Sequence, residues 1–125
     1  MTLQKALDIT DEMRPNAMSR QLKIVFLTEI EQLVHSEIIL KHWHTPEQRT
    51  KPEYDVDTDP GTELLIPDPY SMFYPYWIIS RIDEQNLEWD KFNNDRAIFE
   101  NKYDTMNDWY RRNHMPLQPR RHFRA

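Results

Sequence analysis

The sequence predicts an all-α fold of about four helices, with approximate bounds 3–14, 19–42, 69–86 and 87–112. Three observations predict it. The nine prolines leave two proline-free windows, residues 16–45 and 76–115, where a helix can run without losing a backbone hydrogen bond. Apolar residues in both windows recur at spacings of three and four. Between the windows, prolines cluster and the helical period is absent.

The first two helices have recognisable start signals. Thr2 is a predicted N-cap, and Pro15 disfavours helix at the residue before it. Asn16 or Ser19 is predicted to cap the second helix. The stripe of the second helix comprises Leu22, Phe26, Ile30, Leu33, Val34, Glu37 and Ile38, widened by Ile24, Val25, Leu27 and Ile39. A helix this apolar is predicted to be buried on more than one side.

The last two helices are predicted to form a packed pair. Asp68 followed by Pro69 predicts the start of the third helix, with a capping carboxylate and a proline at the first helical position. Pro75 is expected to kink this helix or to delay its regular part to about residue 75. The seam of the fourth helix alternates in steps of three and four through Trp89, Phe92, Arg96, Phe99, Tyr103, Met106 and Tyr110. Arg96 is predicted to reach the edge of this seam or to meet an acid.

Composition limits the size of the core and excludes several kinds of site. The 125 residues, 38% hydrophobic, predict a single helical domain over 1–112 with a thin core and an extended tail over 113–125. One glycine excludes the glycine-rich phosphate loops of nucleotide enzymes. The lack of cysteine excludes thiol chemistry and cysteine zinc sites, and is typical of a reducing compartment. We expect a soluble chain without a Sec-type signal.

Residues 43–68 are predicted to form a long acidic surface loop, a feature typical of an interface in a small domain. Leu64 to Ile66 are expected to pair as a short strand or to tuck against the helices. The spacing of the acids resembles the start of a calcium loop, but Gly61 is one place late and Ile66 stands where the bidentate Glu belongs. We therefore interpret the acids as solvated. The candidate residues for such an interface are Asp55, Asp57, Asp59 and Glu63.

No catalytic signature is recognisable, so we predict neither an enzyme nor a cofactor. His42 and His44 lack the further ligands that zinc requires, which favours an ordinary helix end. Aromatic residues between 70 and 110 are assigned mainly to the core of the helix pair. The excess could serve an interface: Tyr70, Tyr74, Trp109 and Tyr110.

The last fifteen residues are basic on a chain of formal net charge −5. This composition is typical either of a solvated end or of a peptide that folds onto an acidic partner, such as a neighbouring copy. The net charge argues against DNA binding by the whole domain. The candidate partner-binding residues are Arg111, Arg112, His114, Arg120, Arg121, His122, Phe123 and Arg124.

Several motifs follow one another in a recognisable order. They are Arg14-Pro15-Asn16, Glu63-Leu-Leu-Ile-Pro-Asp-Pro-Tyr70, Tyr74-Pro-Tyr-Trp77, Ile82-Asp83-Glu-Gln-Asn86 and Trp109-Tyr-Arg111-Arg-Asn-His114-Met-Pro116. In this order the chain resembles the small head-tail connector (adaptor) proteins of long-tailed bacteriophages and prophages. The resemblance spans most of the chain and contains no diagnostic catalytic motif.

The resemblance implies a structural protein of the virion neck, assembled in the cytoplasm of the host bacterium. It implies a ring of copies, a dodecamer, that lies beneath the portal protein and extends the DNA channel without binding DNA specifically. It also implies contact with a further neck or tail-completion protein, no contact with a membrane, and docking of the C-terminal tail on the portal. For the acidic residues of the loop it implies a position that either faces the channel or contacts a neighbouring copy. The alternative interpretation is a small regulatory or inhibitor protein that binds one acidic partner through its arginine-rich tail.

Overall fold

The computed structural model describes residues 1–117, which form four α-helices with a long irregular segment between the second and the third. These are α1 (Leu3–Met13), α2 (Arg20–Glu37), α3 (Phe73–Gln85) and α4 (Trp89–Asn113). Two short 3-10 helices, Ile39–Lys41 and Pro46–Arg49, follow α2. Strand pairing over residues 1–117 is limited to two isolated bridges, so the all-α prediction is confirmed. None of the helices described is long and apolar enough to cross a membrane.

Side-chain caps fix the starts of the first two helices. The Thr2 hydroxyl accepts a 3.1 Å hydrogen bond from the Lys5 amide, as predicted. The Ser19 hydroxyl accepts an equally long bond from the Leu22 amide, so Ser19 is the cap of α2. Asn16 instead stabilises the preceding turn, where its side chain accepts from the Met18 amide at 3.1 Å. Each cap satisfies an amide that has no partner within its own helix.

The predicted start of the third helix at Asp68 is wrong, because α3 begins at Phe73. The Asp68 carboxylate accepts from the Ser71 hydroxyl instead of capping a helix, and this bond lowers the pKa of Asp68. The segment before α3 is a pair of turns, closed by the amides of Tyr70 and Tyr74. Pro75 lies in the first turn of α3, where its missing N–H would have had no helical acceptor, so the start is delayed as expected.

Helices α3 and α4 form an antiparallel hairpin around an aromatic core. The connection spans residues 86–88, and α3 also packs against α1 and α2, which makes it the central helix. Phe73 contacts Phe99 and Tyr103 edge to face, with ring centroids 6.3 and 5.5 Å apart. The middle of the predicted seam, from Arg96 to Tyr103, therefore packs on α3, whereas Trp89 at its start is 51% exposed. At about 37 Å, α4 extends beyond the start of α3.

Arg96 forms no ion pair with an acid within residues 1–117 and lies half-buried over two aromatic rings. Its guanidinium lies over the faces of Trp77 and Phe92, 4.6 and 4.7 Å from the ring centroids. Nε also donates a 3.3 Å hydrogen bond to the Ser80 hydroxyl. The charge is thus held by aromatic faces across the helix pair, an arrangement that arginine favours because its planar group stacks well.

The buried face of α2 is rotated from the predicted stripe. Leu33 and Val25 are 41% and 48% exposed, and Glu37 is exposed at the end of the helix. The helix ends there, five residues before the predicted bound, and continues as a 3-10 helix. Instead of Val25, Leu33 and Glu37, α2 buries three polar side chains, Lys23, Glu31 and His35. The rotation arises because the acidic segment covers the face that carries Glu31 and His35.

Candidate functional site

The acidic segment, residues 43–68, is fastened to α2 through the buried carboxylate of Glu31. This side chain is fully buried and accepts three hydrogen bonds. The donors are the hydroxyl of Tyr74 at 2.6 Å, the hydroxyl of Tyr54 at 2.9 Å and the amide of Leu65 at 2.8 Å. Two of the three donors belong to the segment itself. Glu31 therefore fixes the segment at two points, Tyr54 and Leu65, one on each side of the acidic turn, residues 55–63.

Burial dominates the electrostatics of this anchor. Removal from water raises the pKa of Glu31, and the three hydrogen bonds oppose that shift. Burial, and after it the Glu31 carboxylate, raises the pKa of Tyr74, so the hydroxyl remains a donor. Sequence reasoning missed Glu31, although its spacing of four from Leu27 and three from Val34 places it on the buried face.

Further contacts hold the segment along α2. The Gln32 side-chain amide donates to the Pro52 carbonyl at 2.9 Å, and the imidazole Nε2 of His35 lies 2.7 Å from the Gln48 carbonyl oxygen. Leu64 and Ile66 are buried in the core, at 5% and 0% exposure. Of the two predicted forms for this apolar stretch, the structure has the tuck against the helices. The loop is thus an ordered covering of the bundle.

The four predicted acids of the loop are exposed. Asp55 and Asp59 shape turns, because their Oδ1 atoms accept from the amides two residues later, Asp57 at 2.8 Å and Gly61 at 2.9 Å. Glu63 lies beside the first residues of the chain in the bridge to Thr2. Over residues 1–117 no cluster of three metal-ligating side chains is found. The turn that carries these carboxylates is held against α1 and presents them to solvent.

The beginning of the predicted tail is anchored to the bundle. The Trp43 amide donates to the Met115 carbonyl at 2.8 Å, and the Leu117 amide donates to the Lys41 carbonyl at 3.0 Å. Together with the bridge between His42 and Pro116, these bonds form a short antiparallel pairing. The chain after α4 therefore leaves the bundle from a fixed position next to the end of α2.

The basic residues at this end differ in their surroundings. Arg111 and Arg112 are exposed, and Arg111 forms an ion pair with Asp108. His114 is stacked on Tyr110, with ring centroids 3.7 Å apart and planes 3° apart, so its ring is committed to the fold. The remaining predicted contacts lie outside the described residues: Arg120, Arg121, His122, Phe123 and Arg124.

The predicted aromatic excess is largely internal. Tyr74 and Tyr110 are buried, at 0% and 4% exposure, so their assignment to an interface is wrong. Tyr70 and Trp109 are half-buried and stack on each other, with centroids 4.5 Å and planes 12° apart. This stack covers the part of α4 that extends beyond α3. Their stacking explains part of their burial, and the half-exposed remainder leaves the interface prediction for these two residues untested.

A buried charge cluster joins three helices near the turn between α3 and α4. Arg14, the C-cap of α1, is ion-paired to Asp83 of α3 and to Asp95 of α4, the latter at 2.9 Å. Burial, followed by the neighbouring carboxyl of Asp95, raises the pKa of Asp83 to about 7, and Arg14 opposes the shift. The second oxygen of Asp83 is buried without a hydrogen-bond partner among residues 1–117. Sequence reasoning did not identify this cluster.

Comparison with known proteins adds no relative. A scan against protein-family models, a search of curated proteins and a search of solved structures found no match to this chain. The features of the molecule that bear on function are the exposed acidic turn, the anchored basic end and the surfaces that surround them.

Proposed function

We propose that this protein is a structural head-tail adaptor of a long-tailed bacteriophage or prophage. In this role, copies form a ring beneath the portal protein of the virion neck, extend the DNA channel and join the portal to the next neck or tail protein. The ring assembles in the host cytoplasm. The role requires no catalysis and no cofactor, and DNA passes through the channel without specific binding.

The anchored start of the C-terminal segment carries the proposal. A short peptide binds a partner more tightly when its exit from the domain is fixed, because less orientational freedom is lost on binding. Two backbone hydrogen bonds, from Trp43 and Leu117, fix that exit. The eight residues that follow contain three arginines and no acid. A basic arm that leaves the domain from a fixed point suits docking on an acidic surface of the portal.

The acidic turn supplies a second surface of opposite sign. Its carboxylates are presented to solvent by turns whose hydrogen bonds are made within the chain. In a ring, such a surface either lines the channel, where like charge repels DNA, or contacts a neighbouring copy. Both placements are compatible with the ordered attachment of the loop to α2.

The test is binding to the portal protein encoded by the same genome. We expect wild-type chain to form a defined complex with the portal ring in light scattering. The triple variant Arg120→Ala, Arg121→Ala and Arg124→Ala is expected to lose this complex while its helical circular dichroism spectrum is unchanged. The matched control replaces three exposed basic residues elsewhere by alanine: Arg20, Arg49 and Lys51. This control removes the same charge and is expected to bind normally.

The outcomes separate the two interpretations of the basic arm. Retained portal binding by the triple arginine variant removes the arm from the portal contact. If wild-type chain does not bind the portal at micromolar concentration, the adaptor proposal is contradicted. That result would favour the small regulatory protein that binds another acidic partner through the same arm.

A further inference from the structure

Two apolar patches are exposed at opposite ends of α4. The tip patch, at the turn between α3 and α4, comprises Leu87 and Trp89, which are 70% and 51% exposed. The end patch lies where the chain leaves α4 and consists of Trp43, Met115 and Leu117, which are 63%, 75% and 52% exposed. The length of α4, about 37 Å, separates them. Both patches consist of side chains that contribute little to the core of one copy.

The tip patch is exposed, and its residue Leu87 has an unfavourable backbone conformation. Leu87 has a φ of 57°, the left-handed region that asparagine and glycine occupy more easily than leucine. An exposed leucine in this conformation gains no burial that would offset the strain within the monomer. The rings of Trp89 and Phe92 pack edge to face, with centroids 5.6 Å apart, and Trp89 remains 51% exposed. The tip therefore presents a strained apolar surface outward.

The end patch is rigidly presented. The pairing of Trp43 with Met115, and of Leu117 with Lys41, fixes the backbone beneath all three side chains. A preformed apolar surface binds with a smaller loss of conformational entropy than a mobile one. The end patch thus has the character of a receptor surface.

The two patches carry complementary charges. Asp90 follows Trp89 at the tip, and Arg112 lies in the last turn of α4 next to the end patch. Both are exposed, and neither has an ion-pair partner within residues 1–117. Their neighbours are already neutralised, Glu88 by Lys91 at 2.6 Å and Arg111 by Asp108. One acid at the tip and one base at the end remain available to a partner.

We infer that the tip patch of one copy docks on the end patch of the next copy, with Asp90 against Arg112. The contact joins two different surfaces, so each bound copy keeps one tip or one end free for another. Repetition closes into a ring when the rotation between copies permits it. The closed ring rests on the proposed function, whereas the pairwise contact does not depend on it.

Two blocked variants test the contact in the full chain. The tip-blocked variant combines Leu87→Asn with Trp89→Gln, and the asparagine also relieves the strain at that position. The end-blocked variant combines Met115→Ser with Leu117→Ser, which keeps the backbone amide that bonds to Lys41. By analytical ultracentrifugation, we expect wild-type chain to form higher oligomers and each variant to be monomeric with an unchanged circular dichroism spectrum. An equimolar mixture of the two variants should form one-to-one dimers and nothing larger.

A charge exchange supplies the second arm of the test. Asp90→Arg and Arg112→Asp are each expected to weaken association about tenfold, because like charges then face each other at the contact. The double exchange should restore association to near the wild-type level. The control, Asp104→Arg, changes an exposed acid in the middle of α4 and should have no effect.

Several results would overturn the inference. These are a wild-type chain that remains monomeric at millimolar concentration, blocked variants that still form large oligomers, and a mixture of the two variants that forms no dimer. Failure here is distinguishable from failure of the adaptor proposal. If copies associate through other residues and still bind the portal, only the inference about the two patches is contradicted. If wild-type chain associates through the two patches but does not bind the portal, only the adaptor role is contradicted.

Discussion

Tyr74 donates a 2.6 Å hydrogen bond to Glu31 where α3 packs against α2. Both side chains are fully buried, and the same carboxylate holds the acidic segment through Tyr54 and Leu65. This bond therefore couples the packing of two helices to the position of the loop. A change at either residue should affect the fold and the presented acidic turn together.

We predict that Tyr74→Phe destabilises the protein by about 1–3 kcal/mol, since a buried charged acceptor loses a donor. The variant also removes the acceptor of the Ile66 amide, which lies 3.2 Å from the Tyr74 oxygen. Urea unfolding followed by circular dichroism measures the loss. Tyr54→Phe is the comparison, because its hydroxyl bonds the same carboxylate from a half-buried position and should cost less. Equal stability of Tyr74→Phe and wild type would show that this bond is not an anchor.

Local signals in the sequence predict much of the fold. The caps Thr2 and Ser19 and the proline-free windows place both ends of α1 and α4, and the start of α2, within two residues of the observed bounds, whereas α2 ends five residues early. The start of α3 is different. Asp68 is a residue type that often caps helices, but its carboxylate accepts from the Ser71 hydroxyl instead of from a helix amide. Residue type alone does not decide between these two local donors.

The candidate site is less predictable because its contacts are distant in sequence. Glu31 is buried only since Tyr54, Leu65 and Tyr74 converge on it from other segments. The burial of Tyr110 also depends on a residue distant in sequence, because His42 packs against it edge to face, with ring centroids 5.1 Å apart. The exposure of charged residues, in contrast, can be predicted from residue type alone, and the acidic turn is exposed as its composition predicts.

The Arg14 cluster predicts a dependence of stability on pH. The pKa of Asp83 is raised to about 7 in the folded protein, so the folded state binds its proton more tightly than the unfolded state does. The stabilisation from this group is full below the ordinary carboxyl pKa, falls as pH rises, and is lost above about 7. The charged groups that face Asp83 are Arg14, Asp95 and Glu88.

Asp83→Asn tests this dependence, because an amide imitates the protonated carboxyl and can donate to Asp95. We expect the free energy of unfolding of wild type to fall relative to that of the variant between pH 5 and pH 8. Urea titrations at these two values measure the difference. Asp55→Asn, at an exposed turn, is the control and should follow wild type at both. A difference between Asp83→Asn and wild type that is constant with pH would contradict the assignment.

Arg96 predicts a specific cost for loss of its stacked guanidinium. Arg96→Lys keeps the charge but replaces the planar group that lies over Trp77 and Phe92, so we expect a loss of about 1 kcal/mol. Thermal unfolding measures it. The same change at Arg20, an exposed position at the start of α2, should leave the melting temperature unchanged. If both variants melt like wild type, the stacking contributes nothing to stability.

The pairing at the exit of the C-terminal segment should be visible in amide hydrogen exchange. The amides of Trp43 and Leu117 are hydrogen-bonded across the pairing, whereas that of Met115 has no backbone acceptor within residues 1–117. We therefore expect slow exchange at the first two and fast exchange at the third. Equal rates at all three would mean that the segment is not held.

Leu117→Pro deletes the donor to Lys41, whereas Leu117→Ala keeps it. The proline variant should increase the exchange rate at Trp43 at least tenfold, because half of the pairing is gone, while the alanine variant should leave that rate unchanged. Neither substitution alters an arginine. If a fixed exit is what makes the basic arm effective, Leu117→Pro should bind the portal more weakly than Leu117→Ala, because both remove the leucine side chain from the end patch and only proline removes the hydrogen bond. Unchanged portal binding in both variants, with the exchange effect present, would show that the arm acts through its charge alone.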